Sequence, residues 1–404
     1  MPRRLSQSEF IALLAFLFAA VAFSIDSMLP ALPQIAQELT AQDINRAQLV
    51  LTSFVLGLGI GTLFTGPLSD AWGRKAVITG GLALYAVAAW YAAHAPTLEG
   101  MLAARVVQGM GAAAPRIVGL AMVRDLYKGR EMARITSFVM MIFILVPAVA
   151  PALGALVISG FGWRGVFYSF IIFAIVNSVW LNIRQEETLS RENRRPLRFA
   201  TLWNGVKETL SNPTVRIYIT VLTLGFAQMF ALISTTQQIY ADVFDKGDVF
   251  TIWFAATALL SGTGTVLNAV MVMRFGMRRI AIAAYGAQTI ISGLILAGTL
   301  AGVIPPVLAF PVFFFWSVSI FFMAGVTFGN LTALALEPLG HIAGLASSVV
   351  GAISTILAAF IAAPIGLMFD GTIVPLLAGA LICSAIAFML MRRTVEPEAE
   401  PSAH

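Results

Sequence analysis

Charged residues are scarce in this chain of 404 residues. Asp, Glu, Lys and Arg together make up 11% of it, whereas hydrophobic residues make up 59%. Ordinary soluble domains carry about 25% charged residues. So few charges cannot cover the water-facing surface of a soluble chain of this length. Most of the exterior must therefore face hydrocarbon, which indicates an integral membrane protein.

Several kinds of functional residue are also rare or missing. The single cysteine, Cys383, offers neither a disulfide framework nor a metal cluster, and the three histidines have no ligand spacing. The motif G-x-x-x-x-G-K-[ST] does not occur, which argues against ATP-driven pumping by this chain. We find no catalytic set expected of a membrane enzyme and no soluble output domain expected of a sensor. No metal or cofactor is expected, and transport is the remaining class.

Twelve apolar segments, separated by charged or turn-forming clusters, follow one another along the chain. A helical span needs about 20 apolar residues. Backbone polar groups in lipid must be satisfied within the segment, so each run is predicted to be a helix. A β-barrel would instead show alternating segments of about ten residues. The predicted spans are 9–30, 46–65, 75–95, 98–122, 132–158, 164–183, 214–238, 248–273, 278–301, 306–333, 343–368 and 372–391.

Basic residues are distributed unevenly between the loops on the two sides of the predicted spans. If both termini are inside, only Arg46, Arg164 and Lys246 lie outside. This bias is the positive-inside rule, and it predicts a multi-pass protein of the bacterial inner (cytoplasmic) membrane with both termini cytoplasmic. Because the charge follows the loops, nucleic acid is not an expected partner. The inside basic residues are Arg3, Arg4, Arg74, Lys75, Arg124, Lys128, Arg130, Arg134, the cluster from Arg184 to Arg216, Arg274, Arg278, Arg279, Arg392 and Arg393.

The longest polar segment lies near the middle of the chain and divides it into two halves. We predict a six-helix bundle over 1–183, a cytoplasmic linker over 184–213, a second six-helix bundle over 214–391 and a cytoplasmic tail over 392–404. A weak repeat supports the division, because Gly73 and Gly276 follow the second and eighth spans and each precedes basic residues. Two matching halves with a site between them are typical of transporters.

The loop after the second predicted span reads G-P-L-S-D-A-W-G-R-K over 66–75. Small residues let helices approach closely in membranes, and an acid and a base four residues apart can interact. The loop resembles the signature G-x-L-x-D-x-x-G-R-K of the major facilitator superfamily. The resemblance implies an all-α fold of two six-helix bundles around a central cavity, and a conformational latch in which Arg74 pairs with Asp125. The implied latch residues are Gly66, Asp70, Gly73, Arg74, Lys75 and Asp125.

The fourth predicted span carries two arginines. The stretch from Arg105 to Gly111 is similar to the R-x-x-Q-G-x-G segment of the same family. An arginine inside a span is costly and usually faces a cavity or a partner. Arg116 follows eleven residues later, within about 20° of the same face and about three turns deeper. Arg105, Gln108 and Arg116 are thus predicted to line a substrate cavity. For both arginines, a structural role in bonding carbonyls of neighbouring helices stays open.

Asp26 is the only carboxylate deep within a predicted span. It lies a few residues from the outer end, at the depth predicted for Arg105. A carboxyl group between burial and a nearby arginine is poised to take up and release a proton. The stretch 25–33 resembles the D-x-Y-L-P-x-x-P pattern of Bcr/CflA-type drug exporters, with Met28 where an aromatic residue is common. We predict that Asp26 carries the coupling proton; a buried Asp–Arg bridge without titration is the alternative.

The fifth predicted span contains Pro147, Pro151 and Gly154. Proline removes a backbone hydrogen bond and glycine permits close packing, so this segment can bend. It resembles the antiporter motif of the fifth helix, G-P-x-x-G-G, although Ala150 and Ala155 replace two glycines. The motif is associated with exporters, so the resemblance favours export. A simple kink is the alternative.

Two stretches of the second half, 328–338 and 343–348, also resemble Bcr/CflA-type proteins. Small residues in the latter let the eleventh span pack tightly. Asn330 lies in the former. It is predicted either to face the substrate cavity or to form an ordinary hydrogen bond between helices.

Together these features predict proton-coupled efflux of small amphipathic molecules, drugs or metabolites, by alternating access. A proton-driven importer of a small anionic or zwitterionic metabolite is the alternative. The proton gradient would supply the energy, and the expected partners are a small-molecule substrate, protons and the lipid bilayer, with the chain acting as a monomer. Asp26 and the two arginines give the cavity a net charge of about +1, which favours anionic, zwitterionic or neutral cargo over lipophilic cations.

Overall fold

The computed structural model describes residues 5–197 and 199–394, except for the side chains of residues 133, 142–144 and 199. Arg3, Arg4, Arg198 and positions 395–404 of the predicted tail lie outside the described residues. The described chain is helical, and its thirteen α-helices are α1 Gln7–Asp26, α2 Leu32–Leu39, α3 Leu49–Trp72, α4 Arg74–His94, α5 Leu98–Leu126, α6 Gly129–Arg184, α7 Phe199–Ser211, α8 Pro213–Asp242, α9 Phe250–Phe275, α10 Met277–Leu300, α11 Pro306–Leu336, α12 Ala343–Leu367 and α13 Val374–Arg393.

The helix α6 is two membrane spans rather than one. Its 56 residues would extend about 84 Å as a single straight helix, more than twice the hydrocarbon thickness. The backbone leaves helical geometry at Gly162, where φ is 64° and ψ is −177°. With α6 divided there, and α2 and α7 set aside as short, the described residues contain the twelve spans that the sequence predicts.

The first span is longer than predicted, and its predicted end at residue 30 is wrong. After α1 ends at Asp26, a 3₁₀ turn over Leu29–Ala31 leads directly into α2. Pro30 and Pro33 occupy the first turns of these two short helices. A missing N–H is harmless there, so these prolines begin helices instead of ending the span. Asp26 therefore lies at the break between α1 and the short helices that continue the segment.

Close backbone contacts at glycine hold α3 against α5. A Cβ atom added to Gly57 would lie 1.9 Å from the carbonyl oxygen of Val106. A Cβ atom added to Gly109 would lie 2.0 Å from the carbonyl oxygen of Phe54. In lipid, such small residues allow the helix–helix contact that apolar side chains do not drive.

The spans form two six-helix bundles, α1–α6 and α8–α13, around a central cavity. The bundles touch mainly where α3 packs on α12 and α6 packs on α9. Gly73 and Gly276 occupy equivalent positions, because each precedes a helix, α4 or α10, with a positive φ of 103° or 80°. This shared turn supports the repeat seen in the sequence.

At one end, which we call the closed end, amide side chains join the two bundles. Asn45 donates to the carbonyl oxygen of Phe369 over 2.7 Å and accepts from Gln238 over 3.0 Å. Gln48 donates to the same Gln238 over 2.8 Å. At the other end, called the linker end because the chain between α6 and α8 crosses it, a cavity of about 610 Å³ is lined by both bundles. The structure is therefore closed at one end and open at the other.

The α3–α5 contact gives a test of this packing. We expect Gly109→Ala to lower the thermal unfolding temperature of the purified protein, because the new methyl group meets the α3 backbone, an overpacking that costs about 1–3 kcal/mol. Gly80→Ala is the matched control, since a Cβ atom at Gly80 of α4 meets nothing within 4 Å. Equal effects of the two variants would contradict the proposed helix contact.

Candidate functional site

Asp26 is buried without a partner. Its side chain is 4% exposed and makes no hydrogen bond or ion pair with any described residue. The neighbouring hydroxyl groups point elsewhere, because Ser24 donates to the carbonyl of Ala20 over 2.5 Å and Ser27 to that of Phe23 over 2.7 Å. A buried charge without a partner is expensive. The site therefore favours a carboxyl group that can exist without charge.

The predicted antiporter segment of α6 lies against the backbone beside Asp26. A Cβ atom added to Gly154 would lie 2.2 Å from the carbonyl oxygen of Ser27. Pro147 and Pro151 lie within α6 just before this contact, where each removes a backbone hydrogen bond. The structure thus brings together two features that are far apart in the sequence, the unpaired acid and the proline-containing segment of α6.

Arg105 is fully buried and its hydrogen-bonding groups are satisfied by oxygen atoms of the first bundle. It donates to the carbonyl of Ser24 over 3.0 Å, the carbonyl of Val50 over 3.1 Å and the side chain of Gln108 over 2.7 Å. The described residues show no ion pair between Arg105 and Asp26, so the Asp–Arg bridge considered for the sequence is not formed. Arg105 has the structural role that the sequence left open, since it ties α5 to α1 and α3.

Arg116 behaves differently from Arg105. Its side chain is exposed and has no hydrogen bond or ion pair within the described part of the chain. Around the axis of α5, Gly109 contacts α3, Gly119 contacts α1 and Ala114 contacts α4. At about 100° per residue, Arg116 falls between the faces that touch α1 and α3 and opposite the face that touches α4. The guanidinium group therefore points toward the centre of the molecule rather than toward lipid.

Asn330 joins two helices of the second bundle. It is buried on α11, donates to Asn268 of α9 over 2.8 Å and accepts from the same amide over 3.3 Å. It also donates to the carbonyl of Val326 over 2.9 Å. Of the two roles left open for Asn330, the structure shows the hydrogen bond between helices.

The predicted latch residues meet at the linker end. Arg74 donates to Asp125 over 2.9 Å, to Asp70 over 2.5 Å and to the hydroxyl of Ser69 over 2.7 Å. The positive φ of Gly73 provides the turn that brings α3 and α4 together here. One buried guanidinium group therefore connects the end of α3, the start of α4 and the end of α5.

The other two latch residues make separate contacts. A Cβ atom added to Gly66 would lie 3.4 Å from the hydroxyl oxygen of Ser348, so this part of α3 faces α12 of the second bundle. Lys75 donates to the carbonyl of Asn182 in α6 over 3.2 Å. The loop thus contacts both the second bundle and the last span of the first.

Two linker residues contact the predicted latch residues, although the sequence analysis did not single them out. The carboxylate of Glu187 accepts from the backbone N–H of Arg74 over 2.9 Å and of Lys75 over 3.1 Å. Thr188 donates to Asp125 over 2.9 Å. A carboxylate at a helix start satisfies free N–H groups and complements the helix dipole. The sequence offered one signal for Glu187, an acidic residue directly after a span in an otherwise basic linker. An ordinary solvated loop accounts for such a residue equally well.

The open cavity lies beside the latch. From α5 it is lined by Ile117 and Ala121, so it reaches the turn that follows Arg116. The end of α3, the start of α4, the linker and the chain that enters α12 form its other walls. Its lining residues are Gly66, Pro67, Ser69, Asp70, Arg74, Ile117, Ala121, Arg124, Asp125, Arg195, Pro196, Leu197, Thr201, Leu202, Gly340, His341, Ile342, Ala343, Gly344, Leu345 and Ser348.

Comparison with known proteins agrees with this arrangement. Residues 13–363 match the family model described as the Major Facilitator Superfamily. The chain belongs to the major facilitator superfamily. It is therefore a membrane transporter and not an enzyme, and the fold implied by the 66–75 loop is confirmed.

Similar sequences include named transporters and resistance proteins. The chain is 30% identical over 381 residues to the uncharacterized MFS-type transporter YdgK of Bacillus subtilis, with 90% of each chain covered. It is 28% identical over 399 residues to a bicyclomycin resistance protein homolog of Haemophilus influenzae, and 27% identical over 394 residues to the multidrug resistance protein MdtL of Shigella dysenteriae, with 94% of each chain covered in both cases. These names agree with the resemblance to Bcr/CflA-type exporters.

Solved structures of the superfamily share the fold. A D-xylose-proton symporter superposes with a TM-score of 0.74 at 15% identity, covering 96% of this chain and 98% of the other. The human organic anion transporter MFSD10 gives 0.69 at 16% identity, covering 96% and 100%. A partially occluded inward-open form of the xylose transporter XylE from Escherichia coli gives 0.71 at 15% identity, covering 98% and 100%. At these identities the likeness concerns the fold alone.

The role of Glu187 is testable through stability. Glu187→Ala leaves the backbone N–H groups of Arg74 and Lys75 without their acceptor, which costs about 1 kcal/mol for a helix cap. We expect a lower thermal unfolding temperature, partly restored in Glu187→Gln, which keeps one acceptor oxygen. Glu192→Ala is the control, because Glu192 lies in the same linker and its side chain has no described partner. If the two alanine variants unfold alike, Glu187 is not part of the latch.

Proposed function

We propose that this transporter exports small amphipathic molecules, drugs or metabolites, in exchange for protons. The observation that carries the proposal is the unpaired, buried carboxyl group of Asp26, whose neighbour Ser27 is in backbone contact with Gly154 of the antiporter-like segment of α6. The resistance proteins among its relatives support export as the direction.

Orientation follows from the basic residues. The linker end carries Arg74, Lys75 and the linker arginines, so the positive-inside rule assigns it to the cytoplasm, in the inner membrane of a bacterium. Both termini are then cytoplasmic and the open cavity faces the cytoplasm. In this assignment 1–183 and 214–391 are the two bundles, 184–213 is the linker and 392–404 is the tail. The chain acts as a monomer, since the two bundles of one chain together enclose a cavity.

The exchange cycle uses the environment of Asp26. While the closed end is shut, an ionised Asp26 without a partner costs several kcal/mol, so the neutral acid is the favoured form. When the bundles rock and the closed end opens, water from the outside reaches the carboxyl group, which takes up a proton there. Return to the present conformation carries the proton inward. Loading of the cargo then moves α6 against α1 and admits cytoplasmic water to Asp26, so that the proton is released to the cytoplasm. Movement of α6 reaches Asp26 through the Gly154–Ser27 contact.

Asp26→Asn tests this cycle. Resistance of a drug-sensitive host, scored first for bicyclomycin and then for a panel of antibiotics, identifies a transported compound. In everted membrane vesicles with an acidic interior, we expect wild-type protein to accumulate that compound. The Asn variant cannot exchange a proton, so its accumulation should fall to the level of vesicles without the protein.

Asp43→Asn is the matched control for that experiment. Asp43 lies in the exposed loop at the closed end, and its side chain has no partner among the described residues. It should transport like the wild type. Undiminished pH-driven accumulation by the Asp26→Asn variant would show that another group carries the proton. Accumulation only in right-side-out vesicles would show import instead of export.

A further inference from the structure

Arg116 is an uncompensated charge in the interior of the protein. Away from the ends of the membrane-spanning segments, the described helices carry three charged residues, Asp26, Arg105 and Arg116. Arg105 is bonded to carbonyl and amide oxygens, and Asp26 pairs with neither arginine. A guanidinium group stays charged in proteins. The described chain thus provides no anion for Arg116, although an interior charge ordinarily has a partner.

The position of Arg116 separates it from the proton site. Arg105 contacts α1 at Ser24, two residues before Asp26. Arg116 lies eleven residues further along α5, a distance of about 16 Å. It is adjacent to Ile117, which lines the open cavity. Asp26 is thus deep and buried, whereas Arg116 lies at the inner limit of the space that a molecule can enter from the linker end.

We propose that Arg116 binds an anionic oxygen group of the cargo, a carboxylate, sulfonate or phosphate. The transported molecules then combine an apolar body with at least one such group. A guanidinium group matches these groups with two parallel hydrogen bonds, and the bonds are stronger where surrounding protein lowers the dielectric. Lipophilic cations are disfavoured, because they would meet Arg116, while Asp26, the one interior carboxyl group among the described residues, is buried elsewhere.

This assignment rests on the proposed transport function but not on its coupling mechanism. Because the anion of the cargo and the proton occupy separate sites, they do not compete for one group. Coupling between them then passes through the movement of α6 against α1. Binding of the anionic group can therefore be measured without any proton gradient, which separates the two proposals experimentally.

The test uses pairs of probe molecules of the same shape, one of which carries a negative charge and the other none. Each pair consists of a carboxylic acid and its primary amide, from 2-naphthoic acid with 2-naphthamide to 1-pyrenebutyric acid with its amide. Binding to the purified full-length protein in lipid nanodiscs is measured by titration and by thermal shift. We expect the acids to bind at least about tenfold more tightly than their amides, the effect of a hydrogen-bonded charge.

Variants assign that preference to one residue. In Arg116→Gln the difference between acid and amide should disappear, and in Arg116→Lys part of it should remain. Arg46→Gln is the control, because Arg46 pairs with Glu99 at the closed end, away from the cavity. The Asp26→Asn variant should keep the preference for acids. No preference in the wild type, or a preference that persists in Arg116→Gln, overturns the proposal.

A second measurement on the wild type guards against misfolding of the variants. The arginine reagent p-hydroxyphenylglyoxal should modify Arg116, as detected by peptide mass spectrometry. The acids should protect Arg116 and the amides should not, while modification of Arg46 stays the same with either. Equal protection by acids and amides, or protection by neither, counts against an anion site at Arg116.

Discussion

Contact between helix backbones is the constraint on which this structure depends. Lipid tails are as apolar as leucine, so burying apolar side chains between helices provides little driving force in a membrane. The helices gain contact by approaching closely at glycine, as Gly57 and Gly109 do between α3 and α5. Gly154 makes the same kind of contact with Ser27. This backbone contact also lies beside the site, since the residue before Ser27 is Asp26.

The three interior charges differ in whether the protein itself compensates the free energy of burying them. Arg105 is expensive to bury, but carbonyl oxygens of α1 and α3 satisfy it, and the first bundle gains fixed helix positions in return. Asp26 and Arg116 receive no such compensation from the described residues. Unpaired charges inside a membrane protein are usually functional. We therefore regard these two residues as sites for ligands that bind and dissociate. One suits a proton and the other suits an anionic group.

The sequence predicted the spans and the contact of Asp70 with Arg74 from local chemistry, whereas the resemblance to the family implied the contact of Arg74 with Asp125 that the structure contains. Apolar runs of sufficient length must be helical in lipid, and Asp70 and Arg74 are four residues apart on one turn. The fold of two six-helix bundles followed from the resemblance and is confirmed. Three features were left open or missed, and two of them depend on neighbours that are distant in the sequence.

The first of these features is the partner of Arg105. Equal depth suggested Asp26, but the guanidinium group bonds the carbonyl of Ser24, and backbone acceptors carry no signal in a sequence. The second is the helical continuation beyond Asp26, because Pro30 looked like a helix end and instead begins a new turn. The third is Glu187, whose role depends on where the linker crosses the start of α4.

At the closed end, the contacts that the described residues make between the two bundles are neutral, and this bears on how the molecule moves. At the linker end, Arg74, Asp70 and Asp125 form charged contacts within the first bundle. At the closed end, Asn45 and Gln238 connect the bundles through neutral hydrogen bonds, each worth about 1 kcal/mol. Since each neutral bond is weak, opening the closed end costs little from this source, and water can replace the lost bonds.

A small cost of opening matters because a ligand can shift a conformational equilibrium only by its difference in affinity for the two states. Moving a population from one state almost wholly to the other takes about 5.5 kcal/mol. A charged clasp at the closed end would add to the barrier that the ligands must overcome, whereas amides add only a few kcal/mol. Neutral contacts between the bundles at the closed end thus leave the balance between conformations to the two unpaired interior groups, Asp26 and Arg116, on which we propose that proton and cargo act.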